Sequence, residues 1–449
     1  MQAINMKTVR AVAALALVTV VPAAFAALPI QQWKQPSGAQ VWLVESPTLP
    51  MVDVQLDFDA GGRRDPAEKA GLASTTASMT SKGLAARGGE PALDENQLSE
   101  AWADLGAGFG ASAGSDRMSF TLRSLTYPDL LAKAVQLGAR QIGEPSFPGD
   151  VWQRERQRTA AAIREANTRP ATIASRAYAE AVYGGHPYGY DMTEATLGRI
   201  SVEDMRAHYK LVQPCRAKVS LVGAVTRAQA DQIVKDLLSR LPADSGCAPL
   251  PPVAEVPTLA AAAERNIPFA SAQAHVLIGQ PGYKRNDPDF FPMLLGNYIL
   301  GGGGFVSRLS TEVREKRGLS YSVYSYFNPG LHAGAFTLGL QTRPDQAAQA
   351  VQVSREVLQR FVTEGPTEQE LKAAKDFMIG GFSLRIDSNR KLLDNLASIA
   401  WNDLPLDYLD TWTKQVERIS VADIKSAFAR KLQPERMVSV VLGGQPARQ

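Results

Sequence analysis

Arg199-Ile200-Ser201-Val202-Glu203-Asp204 returns further along the chain as Arg418-Ile419-Ser420-Val421-Ala422-Asp423, and this echo decides the fold. It extends outward. Gln213-Pro214 recurs as Gln433-Pro434, and Val219-Ser220-Leu221-Val222 as Val438-Ser439-Val440-Val441. Each copy predicts a Ser-capped helix, a break at Gln-Pro and a buried strand. The copies stand 219 or 220 residues apart, which suits two homologous halves of a 449-residue chain and is too long for a solenoid repeat. Between them Ala248 to Pro257 contains Pro249, Pro251, Pro252 and Pro257, a linker composition. The expected organisation is a leader over 1–26, an N-terminal domain over 27–247, a linker over 248–263 and a C-terminal domain over 264–449.

Within the first half, Val52, Val54, Leu56 and Phe58 alternate with Asp53, Gln55, Asp57 and Asp59, which predicts a strand with one wet face. Met118 to Leu122 alternates more weakly, and helical stretches follow from Pro128 to Ile142, Val151 to Asn167 and Ala171 to Val182. The second half has strand-like runs at His275 to Gln280, Ser320 to Phe327 and Ala335 to Gln341, with helical runs from Gln346 to Val362 and Glu368 to Ile386. Strands and helices come in blocks. Each half is therefore expected to be α+β, a mostly antiparallel sheet packed with helices.

Composition is that of an ordinary globular chain, 45% hydrophobic and 21% charged. The net charge is +3, of which Lys7 and Arg10 account for two, so no concentrated basic face for nucleic acid is expected. Those two cations precede an apolar stretch from Ala11 to Val21, Pro22 and the small-residue site Ala24-Phe25-Ala26. This reads as a secretory signal cleaved after Ala26, with the periplasm or cell exterior as destination and no stable membrane insertion. The uncleaved anchor is the alternative, against which Pro22 and the Ala-x-Ala site argue.

Cys215 and Cys247 are the only cysteines. Cys215 opens the strand Ala217 to Val222, and Thr226 to Leu241 reads as the helix after it. Seven strand residues climb about 23 Å and fifteen helical residues descend about 22 Å, which returns the chain close to Cys215. A disulfide is expected in an oxidising compartment, with two unpaired thiols as the alternative.

The four histidines, His186, His208, His275 and His332, include no pair three or four residues apart, so a helix-borne zinc pair is absent. His186, in Gly184-Gly185-His186-Pro187-Tyr188-Gly189, is expected to be a structural hydrogen-bonder, and His208 to lie at a surface or interface without function. The run Gly301 to Gly304 lacks the Lys-Ser/Thr of a phosphate loop. It is expected to end the helix Phe291 to Leu300 and to let the chain pass close to another backbone.

The stretch from Leu300 through Gly301-Gly302-Gly303-Gly304 and Phe305-Val306-Ser307-Arg308-Leu309-Ser310-Thr311-Glu312-Val313-Arg314-Glu315-Lys316-Arg317-Gly318-Leu319-Ser320-Tyr321-Ser322-Val323 resembles the C-terminal-domain signature of the insulinase/pitrilysin family of zinc peptidases, which includes the mitochondrial processing peptidases. The resemblance implies that Arg314 and Tyr321 point into a cavity and bind the substrate carbonyl. A guanidinium and a phenol suit that role because both donate hydrogen bonds to an oxygen gaining charge. The same family carries His-x-x-Glu-His in its N-terminal domain. Here the frame Gly71-Leu72-Ala73-Ser74-Thr75-Thr76-Ala77-Ser78-Met79-Thr80-Ser81-Lys82-Gly83 puts Ser74 and Ser78 at the two His positions and Ala77 at the general-base position. Matching Glu155 to the family's earlier Glu puts Ala162 at the distal zinc ligand. Serine and alanine supply neither imidazole nor carboxylate, so no metal site and no cofactor are expected in this chain.

The resemblance therefore implies a non-catalytic, substrate-binding subunit of a periplasmic heterodimeric zinc metallopeptidase. Its partner would be a homologous subunit with an intact His-x-x-Glu-His and the zinc, and its substrate a peptide or unfolded polypeptide. The alternative is a structural or peptide-holding protein of the same fold without a proteolytic partner. An independent zinc peptidase would need a histidine cluster that the chain lacks.

Overall fold

A computed structural model describes residues 29–242 and 247–444, so the leader and its cleavage site lie outside the described residues. In the first half β1 (Gln31–Lys34), β2 (Gln40–Glu45) and β3 (Met51–Phe58) precede α1 (Leu72–Met79) and a short hairpin of β4 (Gly83–Leu84) and β5 (Leu93–Asp94). Then come α2 (Glu95–Asp104), the hairpin β6 (Gly108–Ala113) and β7 (Met118–Leu125), and five helices. These are α3 (Pro128–Gly143), α4 (Gly149–Ala166), α5 (Pro170–Tyr183), α6 (Glu194–Gly198) and α7 (Val202–Tyr209), and β8 (Lys218–Gly223) and α8 (Arg227–Leu238) complete the half. The second half runs β9 (Ala263–Ile267), β10 (Ala274–Pro281), α9 (Phe290–Asn297), β11 (Val323–Phe327) and β12 (Ala335–Thr342). It continues with α10 (Ala347–Glu364), α11 (Glu368–Gly380), α12 (Asn389–Trp401), α13 (Tyr408–Arg418), α14 (Val421–Lys431) and β13 (Val438–Leu442).

The sheets repeat one topology. The first is ordered β1-β2-β8-β3-β7-β6 and the second β9-β13-β10-β12-β11, so β9 answers β2, β13 answers β8 and β10 answers β3. In each, one pair is parallel (β2 with β8, β9 with β13) and every other neighbour antiparallel, an α+β architecture in two homologous units. The sequence echo has a local cause. Ser201 caps α7 by accepting from the Asp204 amide, while Asp204 accepts from the Ser201 amide at 2.9 Å; Ser420 and Asp423 repeat the box on α14 at 2.8 Å.

Apolar positions on α3 and α8, such as Ala134, Ile142, Val234 and Leu237, pack on one face of the first sheet, against Val54, Leu56 and Leu221. The other face was expected to be wet, and it is not. Asp53, Gln55 and Asp57 are buried because α12, from the second half, lies across β8 and β3. These three find partners: Arg117 Nη1 donates to Asp57 at 2.8 Å, Ser119 and Gln55 also donate to Asp57, and Arg123 Nε donates to Asp53 at 2.6 Å. Reciprocally, α5 of the first half lies across β10 and β13 of the second sheet. There the Tyr178 hydroxyl donates to the Phe336 carbonyl at 2.6 Å, and the Tyr183 hydroxyl accepts from the Ala335 amide at 2.8 Å. α5 begins at Pro170 and α12 at Asn389, the same offset as the repeat, so the halves exchange equivalent helices.

Two further boundaries depart from expectation. The helix expected to reach Ile386 stops at Gly380, where Gly380-Gly381 lower helix propensity and a short turn, Phe382–Arg385, follows. Strand β11 begins at Val323 instead of Ser320, because Ser320 Oγ donates to the Gln341 carbonyl and holds the chain in a turn. The structure joins Cys215, just before β8, to Cys247 by a disulfide with Cα atoms 6.0 Å apart.

Candidate functional site

The zinc frame of the N-terminal half lies on α1. Its start is held by Asp65, whose carboxylate accepts from the amides of Gly71 and Ala73, each at 2.9 Å. Burial pushes this carboxyl up to about 7 against the downward pull of those amides. The Ser74 hydroxyl donates back to the Gly71 carbonyl at 3.0 Å and the Ser78 hydroxyl to the Thr75 carbonyl at 2.9 Å, while Ala77 is fully buried. Ala162 is exposed on α4, beside Ile163, which packs with Leu72 and Met79 of α1. Glu155 is held among cations, with Lys82, Arg154 and Arg158 at 3.4, 3.6 and 2.5 Å. These donors do not fit zinc: two hydroxyls committed to their own helix and two methyl groups leave no imidazole or free carboxylate. Among the described residues no three His, Cys, Asp or Glu side chains come together as a metal-holding group.

The C-terminal half holds a different arrangement. After α9 the chain passes through a π-helical turn at Tyr298–Gly302, where a Cβ on Gly301 would sit 2.6 Å from the Ser325 amide nitrogen of β11. Only glycine permits that approach. A second π-helical turn, Ser310–Glu315, follows, pinned by buried Leu309 and Val313. Gly318, at φ +61°, then reverses the chain, with the Gly318 amide donating to the Arg314 carbonyl at 2.8 Å and the Leu319 amide to the Val313 carbonyl at 3.0 Å. This reversal carries Tyr321 back over Arg314.

The Arg314 guanidinium carbon lies 4.9 Å from the centroid of the Tyr321 ring and 4.3 Å from that of Phe305. The pair singled out in the sequence is thus brought together, and Phe305 joins it. Tyr321 is 82% exposed and Phe305 68%, so the stack stands open to whatever approaches this face. Lys316 and Arg317 nearby both pair with Glu312, at 2.8 and 2.7 Å, whereas Arg314 has no carboxylate partner among the described residues. Arg317 lies beyond the end of the helical turn. In the sequence the only signal of Phe305 is an aromatic residue directly after four glycines.

His186 and His208 make hydrogen bonds within the fold. His186 accepts from the Tyr188 amide at 3.1 Å through Nδ1 and meets the Ala254 carbonyl at 3.0 Å through Nε2. Tyr188 in turn donates to Asp116 at 2.6 Å, and Asp116 accepts from the Leu331 amide at 3.0 Å, tying first half, linker and second half together. His208 is buried, not at a surface, because α7 presses it against the turn after β3, where Nε2 meets the Ala60 carbonyl at 2.9 Å. Burial holds its pKa below the ordinary histidine value.

Residues 40–196 match the family model described as insulinase (peptidase family M16), and residues 199–378 match the model of the peptidase M16 inactive domain. The crystal structure of a peptidase M16 inactive domain from Pseudomonas fluorescens is 32% identical, with a TM-score of 0.87 over 94% of this chain and 99% of that one. A non-peptidase homolog, YmxG of Helicobacter pylori, is 26% identical over 85% of this chain and 86% of its own. An uncharacterized zinc protease of Streptomyces coelicolor is 28% identical over 59% of each chain, so the match spans less than two thirds of that relative.

Proposed function

The chain belongs to the insulinase (peptidase M16) family, and from that membership we propose that it is the non-catalytic, substrate-binding subunit of a heterodimeric zinc metallopeptidase. The observation that carries the reading is the asymmetry between the two halves: Ser74, Ala77, Ser78 and Ala162 have no metal chemistry, while Arg314 and Tyr321 converge on an open face.

In this reading the zinc and the hydrolytic water belong to a homologous partner with an intact His-x-x-Glu-His. This chain supplies hydrogen bonds. With the Phe305 and Tyr321 rings beside it, the Arg314 guanidinium keeps N–H groups to offer, and among the described residues no carboxylate competes for them. Those N–H groups and the Tyr321 hydroxyl are directed donors for a peptide carbonyl oxygen that gains negative charge as hydrolysis proceeds. Pre-stacking fixes the guanidinium before substrate arrives, so little side-chain entropy remains to be lost on binding. The substrate is a peptide or unfolded polypeptide. The periplasm is the proposed location, supported by the basic-then-apolar leader with its Ala-x-Ala site and by the Cys215–Cys247 bridge. Among the described residues no helix is long and apolar enough to cross a membrane.

Elemental analysis and co-purification test the reading together. The chain alone should retain no stoichiometric zinc and cleave no peptide, and it should co-purify with a zinc-bearing homologue that gains activity from it. One tightly held zinc per chain with chelator-sensitive cleavage would overturn it.

A further inference from the structure

The two exchanged helices enclose a cavity of about 830 Å³ at the seam between the halves, reached by α5 through Tyr178 and by α12 through Trp401. Its size falls among ligand pockets, which typically run about 300–1,000 Å³. Its wall is aromatic, with Tyr283, Phe290, Tyr324 and Tyr326 among the lining side chains.

The charged groups in that wall are Asp116, Arg117 and Arg285, and Arg117 is paired with Asp57 at 2.8 Å. Arg285 lines the cavity with its guanidinium 3.8 Å from the Phe290 ring centroid and one hydrogen bond to the Tyr408 hydroxyl, and it has no carboxylate partner among the described residues. Trp401 adds an apolar ring to the wall and is 8% exposed. The acid in the wall, Asp116, is already committed to Tyr188 and to the Leu331 amide, with Arg63 at 3.4 Å. The pocket therefore favours a ligand that brings its own negative charge and an aromatic or apolar body.

We propose that this cavity binds a short acidic-aromatic segment of the peptide substrate, with Arg285 as donor to its carboxylate and the tyrosines packed against its ring. The proposal rests on the peptide-binding reading above and gives it a substrate class. It also places the second contact beside the first. Tyr321 stands three residues before Tyr324, at most about 11 Å of extended chain, so one peptide can reach both.

Titrating the purified chain, without any partner, with the capped peptide acetyl-Gly-Glu-Phe-Glu-Gly-amide and its Lys-for-Glu counterpart tests this. The acidic peptide should bind at least tenfold more tightly than the basic one. Arg285→Gln should weaken it about tenfold, and Tyr324→Ala measurably. Tyr324 is 41% exposed, so its truncation keeps the test valid if a buried variant fails to fold. Equal binding of both peptides, no binding by the wild type, or binding indifferent to Arg285→Gln and Tyr324→Ala would overturn the proposal. Because no partner is present, failure here would leave the zinc and co-purification tests of the subunit reading standing.

Discussion

The Arg314 guanidinium is held by what touches its faces, which makes Phe305 a positioning residue. A cation–π contact at an exposed site is worth about 0.5–1 kcal/mol, so Phe305→Leu is expected to lower turnover of the reconstituted pair roughly two- to fivefold. Phe305→Tyr should restore it; a loss that the tyrosine variant shares would mean Phe305 acts through backbone or partner contact. At the same scale His208 sets a pH dependence. Its folded-state pKa lies below the unfolded value near 6.5, so the stability it contributes is full above that value and is lost as pH falls through the folded-state pKa. The urea midpoint of the wild type should therefore drop between pH 7 and pH 5 by more than that of His208→Gln, and parallel profiles would contradict the assignment. Arg314 and Tyr321 were legible in the sequence because their spacing sits inside a distinctive signature. Phe305 was not, since a lone aromatic after glycines carries no sign of what it stacks on.

Among the elements, the duplication was legible because a Ser-Asp capping box, a Gln-Pro break and a β-branched strand are each short-range chemistry. The exchange of α5 and α12 was not. Alternation at positions 53, 55 and 57 reports polarity rather than exposure, and there the polar side chains are buried under α12 with Arg117, Ser119 and Arg123 as partners. Leu396, fully buried on α12 among Trp42, Val44 and Val222, measures that exchange. Leu396→Ala should cost about 2–5 kcal/mol and lower the stability of both halves together, as read by chemical denaturation with a single transition. A variant in which only the second half loosens would show that α12 is not a shared element. The Cys215–Cys247 bridge closes a loop 32 residues long, expected to contribute on the order of 3–4 kcal/mol in the chain-entropy model. Thiol titration of exported, denatured, unreduced protein should find no free thiol, and two per chain would refute the bridge.

For the molecule as a whole, the two homologous halves have diverged in opposite directions: one retains the frame of a metal site without its ligands, the other a positioned pair of donors. In the proposed function, a partner brings what the first half lacks. The central claim is that Arg314 and Tyr321 work in that partner's active site, and the direct measurement is turnover of an unstructured peptide by the reconstituted pair. Arg314→Ala or Tyr321→Phe should each lower the catalytic constant about 100- to 1000-fold if the site is dry and preorganised, the loss typical of one oxyanion donor. Assembly and the partner's zinc content should be unchanged. Arg317→Ala, which removes a neighbouring cation already paired with Glu312, should leave turnover within about twofold, as surface ion pairs contribute little. Unchanged turnover in the Arg314 and Tyr321 variants, or an equal fall in Arg317→Ala, would contradict the account.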